Sequence, residues 1–265
     1  MTTKGKHQSA TTAFLQREPF ISIHNVPIYF AEDWRTGIGG GLWSTGLALA
    51  RYFGTDPTVS SLRRLCQHSN SKARGVSVLE LGSGNGFLAV CFAALAVAQN
   101  IPIKDLVVTD TADHLDMIRE TIAANPHTVK TVETATVMEH LWGIFSKDDD
   151  TDGTTCVGER TDAQAAVQNG TMKFDLILGS DVAYREALYD PLIRSIQQFS
   201  HAKTVSLIGV TMADTTPEFF DRLDKAGLDY QMLADHLLEP EYRGTTFGIF
   251  VIQPKQKRYK ECCSG

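Results

Sequence analysis

Residues 78–87 read "VLELGSGNGF". A short apolar strand runs through Glu80, and glycine then stands at every second position, Gly82, Gly84 and Gly86. Glycines at such a turn let the backbone bend sharply and approach a ligand closely. A dinucleotide fingerprint has the form G-x-G-x-x-G and seats a pyrophosphate on the following helix N-terminus. Here the third glycine comes one residue early. An acid also stands two residues before the first glycine, where it repels a pyrophosphate but can bind an amine. S-adenosylmethionine carries an α-amino group and a sulfonium and has no phosphate, so it suits this acidic turn better.

Working outward, strand and helix patterns alternate. Apolar strands are predicted at 76–81, 106–110, 131–138, 174–181, 204–212, 228–234 and 245–253. Helical spacing is predicted at 42–53, 87–99, 112–125, 186–199 and 216–227. Strands alternating with helices imply βαβ units and a mainly parallel sheet. No helix signal separates the last two strands, so they read as antiparallel to each other. Residues 20–30, "FISIHNVPIYF", suggest a short hairpin. The expectation is an α/β domain with seven strands, an antiparallel strand at its C-terminal end and helices on both faces.

One domain over 19–254 accounts for the chain, with a mobile tail at 1–18 and a basic tail at 255–265. The 265 residues are 43% hydrophobic and 21% charged, an ordinary globular composition. Residues 144–172 interrupt the rhythm with a polar, small-residue insertion that reads as disordered; a lid is the other reading. The net charge of −6 argues against bulk binding to nucleic acid or anionic membranes. The longest apolar run, 87–97, is too short to span a bilayer. Cys66, Cys91, Cys156, Cys262 and Cys263 form no C-x-x-C pair, and neither a metal site nor a disulfide framework is readable. These features imply a monomer in a reducing cytoplasmic or nuclear setting.

Two carboxylates follow strands. Asp110 ends the second strand, where it can accept both ribose hydroxyls of a nucleoside or cap the next helix. With Glu80 and three glycines upstream, the ribose reading prevails. Asp181 and Tyr184 lie in "SDVAYR" (180–185), directly after the fourth strand. That stretch also reads as a helix start capped by Ser180 or Asp181. "GVTMADTTPEFF" (209–220) sets Asp214 and Thr215 before a helix, where capping is the first reading and substrate contact the second.

"VLELGSGNGF", "VVTD", "HLWG" and "FDLILGSDVAY" occur in order, preceded by "GGGLWSTGLALARYF". Together these resemble the eukaryotic family-16 methyltransferases, the group around methyltransferase-like protein 21. The resemblance covers about residues 20–253 without the insertion. It implies a Rossmann-like, seven-stranded class I methyltransferase that uses S-adenosylmethionine and acts on lysine in a protein. Elongation factors and chaperones are the substrate types it suggests. It further implies that Trp43 lies against the cofactor and that Gly82, Ser83 and Gly84 line its methionine end, with Glu80 beneath. Asp110 would hold the ribose, Trp142 would flank the adenine, and Ser180 would close the pocket. Leu141 departs from the pattern, since an aspartate often precedes "WG" in that group.

The chemistry sets a requirement for Asp181 and Tyr184. Methyl transfer needs a neutral amine in line with methyl and sulfur. Neutralising a lysine of pKa ~10.4 at pH 7 costs roughly 4–5 kcal/mol. A nearby carboxylate stabilises the ammonium, so Asp181 is expected to capture and orient the lysine and not to deprotonate it. Tyr184 is expected to wall the alkyl channel. A small-molecule N-methyltransferase and a non-catalytic cofactor-binding partner protein are the competing readings.

Overall fold

A computed structural model describes residues 14–15, 18–55, 60–61, 75–145, 162–244 and 246–256. The central sheet holds seven strands: β1 Val76–Leu81, β2 Ile103–Asp110, β3 Val132–Glu139, β4 Phe174–Ser180, β5 Ser200–Thr211, β6 Leu228–Met232 and β7 Phe247–Pro254. Their order is β3-β2-β1-β4-β5-β7-β6. The pairs from β3 to β5 are parallel, and β7 runs antiparallel to both β5 and β6. The expected sheet is therefore present, with β7 as the reversed strand. The chain leaves β1 toward one edge and β4 toward the other, which makes the β1/β4 junction a topological switch point.

Among the described residues, six helices accompany the sheet: α1 Ser44–Phe53, α2 Phe87–Ala98, α3 Leu115–Ala124, α4 Asp162–Gln168, α5 Tyr189–Phe199 and α6 Pro217–Lys225. Every residue of β1 is buried, and its two faces feed two apolar layers. Val76 and Val78 pack with α1 and α2, while Leu79 and Leu81 pack with α5 and α6. The first ten residues of α2 are all buried. An apolar helix of this kind must be covered on every side. The hairpin Ile21–Ile23 with Val26–Ile28 covers its outer face. Phe20, Phe30 and Phe87 meet there edge to face at 5.2–5.8 Å. His24 and Asn25 turn this hairpin at φ of 46° and 69°.

Three boundaries move. Phe14–Leu15 pairs with Ala31–Glu32, so the fold begins before residue 19. At the other end Lys255 N–H donates to Gly227 O, and the Lys255 ammonium meets Asp224 at 2.6 Å. The third boundary is in the expected insertion, where residues 162–172 are built into the domain. Val167 is fully buried in the α5–α6 layer, and Gln198 Nε2 donates to Gly170 O. Composition hid this helix because one apolar side chain anchors it. Residues 146–161 and the tail beyond residue 256 lie outside the described residues.

Candidate active site

The glycine turn after β1 depends on a conformation few other residues adopt. Gly82, Gly84 and Gly86 have φ of 62°, 58° and 77°. Space is short as well. A Cβ on Gly84 would stand 2.8 Å from Gly39 O, and one on Gly82 would stand 2.7 Å from the Trp142 ring. The turn, the 33–41 segment and the Trp142 turn thus close on one another at the ends of β1 and β4. Between them lies a cavity of about 820 Å³.

Of the expected site residues, Trp43, Gly82, Ser83, Gly84, Asp110, Trp142, Ser180, Asp181 and Tyr184 all line this cavity. Glu80 does not. Even-numbered residues of β1 face α1 and α2, so its side chain is buried one layer below the turn. Both carboxylate oxygens lack a hydrogen-bond partner of normal geometry. Burial pushes the pKa well above the usual carboxylate range, a weak approach of the Ala89 N–H opposes that, and the Asp110 charge adds to it.

Asp110 organises the wall after β2. Its Oδ2 accepts from Gly84 N–H at 2.7 Å. Its Oδ1 accepts from Thr111 N–H at 2.7 Å and from His114 Nδ1 at 2.8 Å. The helix-cap reading of Asp110 is thereby replaced: its side chain ties the glycine turn to the end of β2. The pKa of His114 is raised, chiefly by this bond to Asp110. Sequence reasoning missed His114; its signal was a histidine four residues after the strand-ending acid.

Asp181 has φ of 52°, a left-handed conformation that aspartate tolerates better than most residues. It starts no helix of its own, because residues 181–185 remain irregular and α5 begins at Tyr189. It caps α1 instead. Oδ2 accepts from Thr45 N–H at 3.2 Å and Thr45 Oγ1 at 2.7 Å, 136 residues away in the chain. Oδ1 accepts from Thr211 Oγ1 at 2.7 Å, at the end of β5. A carboxylate offers about four acceptor positions, so roughly one stays open. Small residues allow this close approach of α1: a Cβ on Gly209 would stand 2.9 Å from Thr45, and one on Gly46 would stand 3.2 Å from Ser180 Oγ.

Tyr184 is 37% exposed, with the Arg185 guanidinium 5.3 Å from its ring centroid. Trp43 donates from Nε1 to Ile38 O at 2.9 Å and meets Trp34 edge to face. Asp214 also lines the cavity and does not cap α6; Thr216 occupies that N-cap. Thr215 donates to Ala183 O at 2.7 Å, which ties the α6 loop to the Asp181 loop. On the Trp142 side, Ser195 Oγ accepts from Gly143 N–H at 2.8 Å and lies 3.0 Å from His140 Nε2. The His140 ring is neutral there. Burial lowers the pKa of His140 to about 4.

This cavity fits S-adenosylmethionine. Its floor is a tight glycine cradle, an acid with two unpartnered oxygens lies below it, a carboxylate ends β2, and two indoles flank the space. A family model described as lysine methyltransferase matches residues 22–155. Protein N-lysine methyltransferase METTL21A of Mus musculus is 26% identical over 190 residues, 71% of this chain and 67% of that protein. EEF1A lysine methyltransferase 3 of Mus musculus is 26% identical over 191 residues, 71% of this chain and 63% of that protein. A UPF0665 family protein of Schizosaccharomyces pombe is 22% identical over 180 residues, 68% of this chain and 44% of that protein. The chain thus spans about two thirds of the mouse relatives and under half of the yeast one. Among solved structures, the glycopeptide N-methyltransferase MtfA complexed with sinefungin has a TM-score of 0.47 at 14% identity, covering 75% of this chain and 94% of that one.

Proposed function

The chain belongs to the lysine methyltransferase family, and from that premise we propose that it methylates a lysine side chain of a cytosolic protein, a translation elongation factor or a chaperone. S-adenosylmethionine is the cofactor of this enzyme class and, when bound, supplies an electrophilic methyl group on a sulfonium. Gly82, Ser83 and Gly84 would hold its methionine end, with the Glu80 carboxyl group beneath. Asp110 would take the ribose, Trp43 and Trp142 the flat faces, and Ser180 the wall beside the fourth strand.

The observation that carries a protein substrate is the cavity's rim. Five of the nine large exposed apolar side chains among the described residues line this one cavity: Ile38, Trp43, Leu141, Ile144 and Tyr184. Apolar surface gathered at the mouth of a site marks a place where a macromolecule sits. A small substrate enclosed in the pocket would need no exposed apolar lining of this extent.

Tyr184 presents a ring face to an alkylammonium, the attraction it already shows toward Arg185. Asp181 contributes negative charge and its open acceptor position, which orient the amine while α1 and β5 fix the carboxylate in place. Apolar walls disfavour the ammonium and so lower the cost of the neutral nucleophile. The rate gain comes mainly from alignment.

Incubation with radiolabelled S-adenosylmethionine and cell lysate should label a protein band. Mass spectrometry should place the label on lysine, and Tyr184→Ala should reduce it. Label confined to the low-mass fraction would overturn the protein substrate.

A further inference from the structure

His114 sits between two acceptors. Nδ1 is 2.8 Å from Asp110 Oδ1, and Nε2 is 3.1 Å from Thr36 O. A carboxylate and a carbonyl have no proton to offer, so both bonds exist together only when both ring nitrogens carry hydrogen. The pair is sheltered, the His114 and Asp110 side chains being 12% and 11% exposed.

Thr36 belongs to a compact segment that covers the cavity. Asp33 N–H donates to Gly40 O, and Gly40 N–H donates to Gly37 O, folding residues 33–40 into a double turn. Its Gly39 lies directly on the imidazole, where a Cβ would come within 2.5 Å of Cε1. Gly39 O also overhangs Gly84. This strap is joined to the cofactor wall through few polar contacts, and His114 supplies the one that reaches Asp110.

We propose that His114, as an imidazolium, is a positioning residue that clasps the 33–41 strap to Asp110 and so holds the strap closed over the bound methyl donor. The proposal rests on reading the cavity as the S-adenosylmethionine site. Loss of one ring proton removes one of the two bonds and frees the strap from the acid. The other charge acting on the ring is Asp113 on its own turn; of the elements packed around it, β3 ends in Glu139, which accepts from Ala112 N–H, and the strap carries Asp33 with Arg35. Arg35 is paired with Asp33 at 2.7 Å, so the strap brings no free cation to the ring. The raised pKa of His114 moves the opening upward from the ordinary histidine value.

The test is the pH dependence of cofactor binding in the full chain. In wild type, dissociation of S-adenosylmethionine should accelerate by roughly tenfold as pH rises through the His114 titration, the loss expected for one charge-assisted bond. His114→Gln, which carries both donor hydrogens on one nitrogen and presents an acceptor oxygen on the other side, cannot bridge the two acceptors as imidazolium does; it should bind equally weakly at all these pH values and match wild type at the alkaline end. Indole fluorescence of the ligand-free protein, to which Trp34 on the strap and Trp43 bonded to Ile38 O contribute, should titrate in wild type and stay flat in His114→Gln. A wild-type pH profile retained in the variant would overturn the clasp. Absence of any cofactor binding by wild type would overturn the cavity assignment instead, and the fluorescence titration would still decide on the clasp.

Discussion

At the scale of single residues, Asp181 shows where sequence reading stops. Its place after β4 was legible, because an acid there interrupts an apolar strand. Its partners were not, since Thr45 and Thr211 lie far off in the chain and neither carries a signal of its own. The carboxylate satisfies a first-turn amide of α1, which no neighbouring side chain caps, and two hydroxyls. Asp181→Ala should therefore lower stability by about 1–2 kcal/mol, the cost of a lost cap with unpartnered hydroxyls. Methyl transfer should fall in the same variant. Tyr184→Phe should leave the melting temperature unchanged. An unchanged melt for Asp181→Ala would mean that the carboxylate serves only the substrate. Glu80 teaches the same limit from the other side, because its face of β1 is set by the pleat. A motif spacing places the acid near the cofactor turn, and only the strand's alternation places it underneath.

Among the elements, the glycine turn and the strand–helix alternation were the most readable, since both are local. Each of the seven strands was foreseen, although β2 and β5 start earlier than expected. Their first residues, such as Lys104 and His201, are polar and only half-buried, which blurs the apolar signal. Helix α4 was missed for a different reason: its sequence is small and polar, and tertiary packing of Val167 holds it. The glycine turn invites a paired experiment. Gly84→Ala forces a Cβ into a left-handed conformation and against Gly39 O. It should cost about 1–3 kcal/mol of stability from backbone strain and weaken cofactor binding roughly tenfold or more. Gly227→Ala is the control, because its φ is 76° but nothing stands within 4 Å of the new Cβ. It should destabilise the fold and leave cofactor affinity as it was. Equal affinity losses in the two variants would show that strain alone, not the fit of strap to turn, governs binding.

Across the whole molecule, strand order decides where chemistry can occur. The β1 and β4 connections part at the switch point, so the glycine turn and the Asp181 loop open a crevice between them at the strands' C-terminal ends. The third wall comes from the turn after β3, and its anchor is buried against α5. His140 packs on Phe145 and Phe199, with ring centroids 5.5 and 5.1 Å away. Through Ser195 it fixes Gly143, next to Trp142. A histidine held neutral by burial stabilises the fold at neutral pH. Its folded pKa, about 4, lies below the ordinary value of 6.5. The stabilisation is therefore full above pH 6.5 and is lost as pH falls toward 4. About 3 kcal/mol is at stake over that window. Denaturant melts between pH 7 and 4 should show this loss in wild type and a shallower one in His140→Phe, which keeps the aromatic packing without a titrating ring. Parallel curves for the two proteins would mean that other groups carry the acid sensitivity. A shallower curve would make the Trp142 wall the first part of the cavity to fail in acid, while the His114 clasp, protonated there, holds the opposite wall closed.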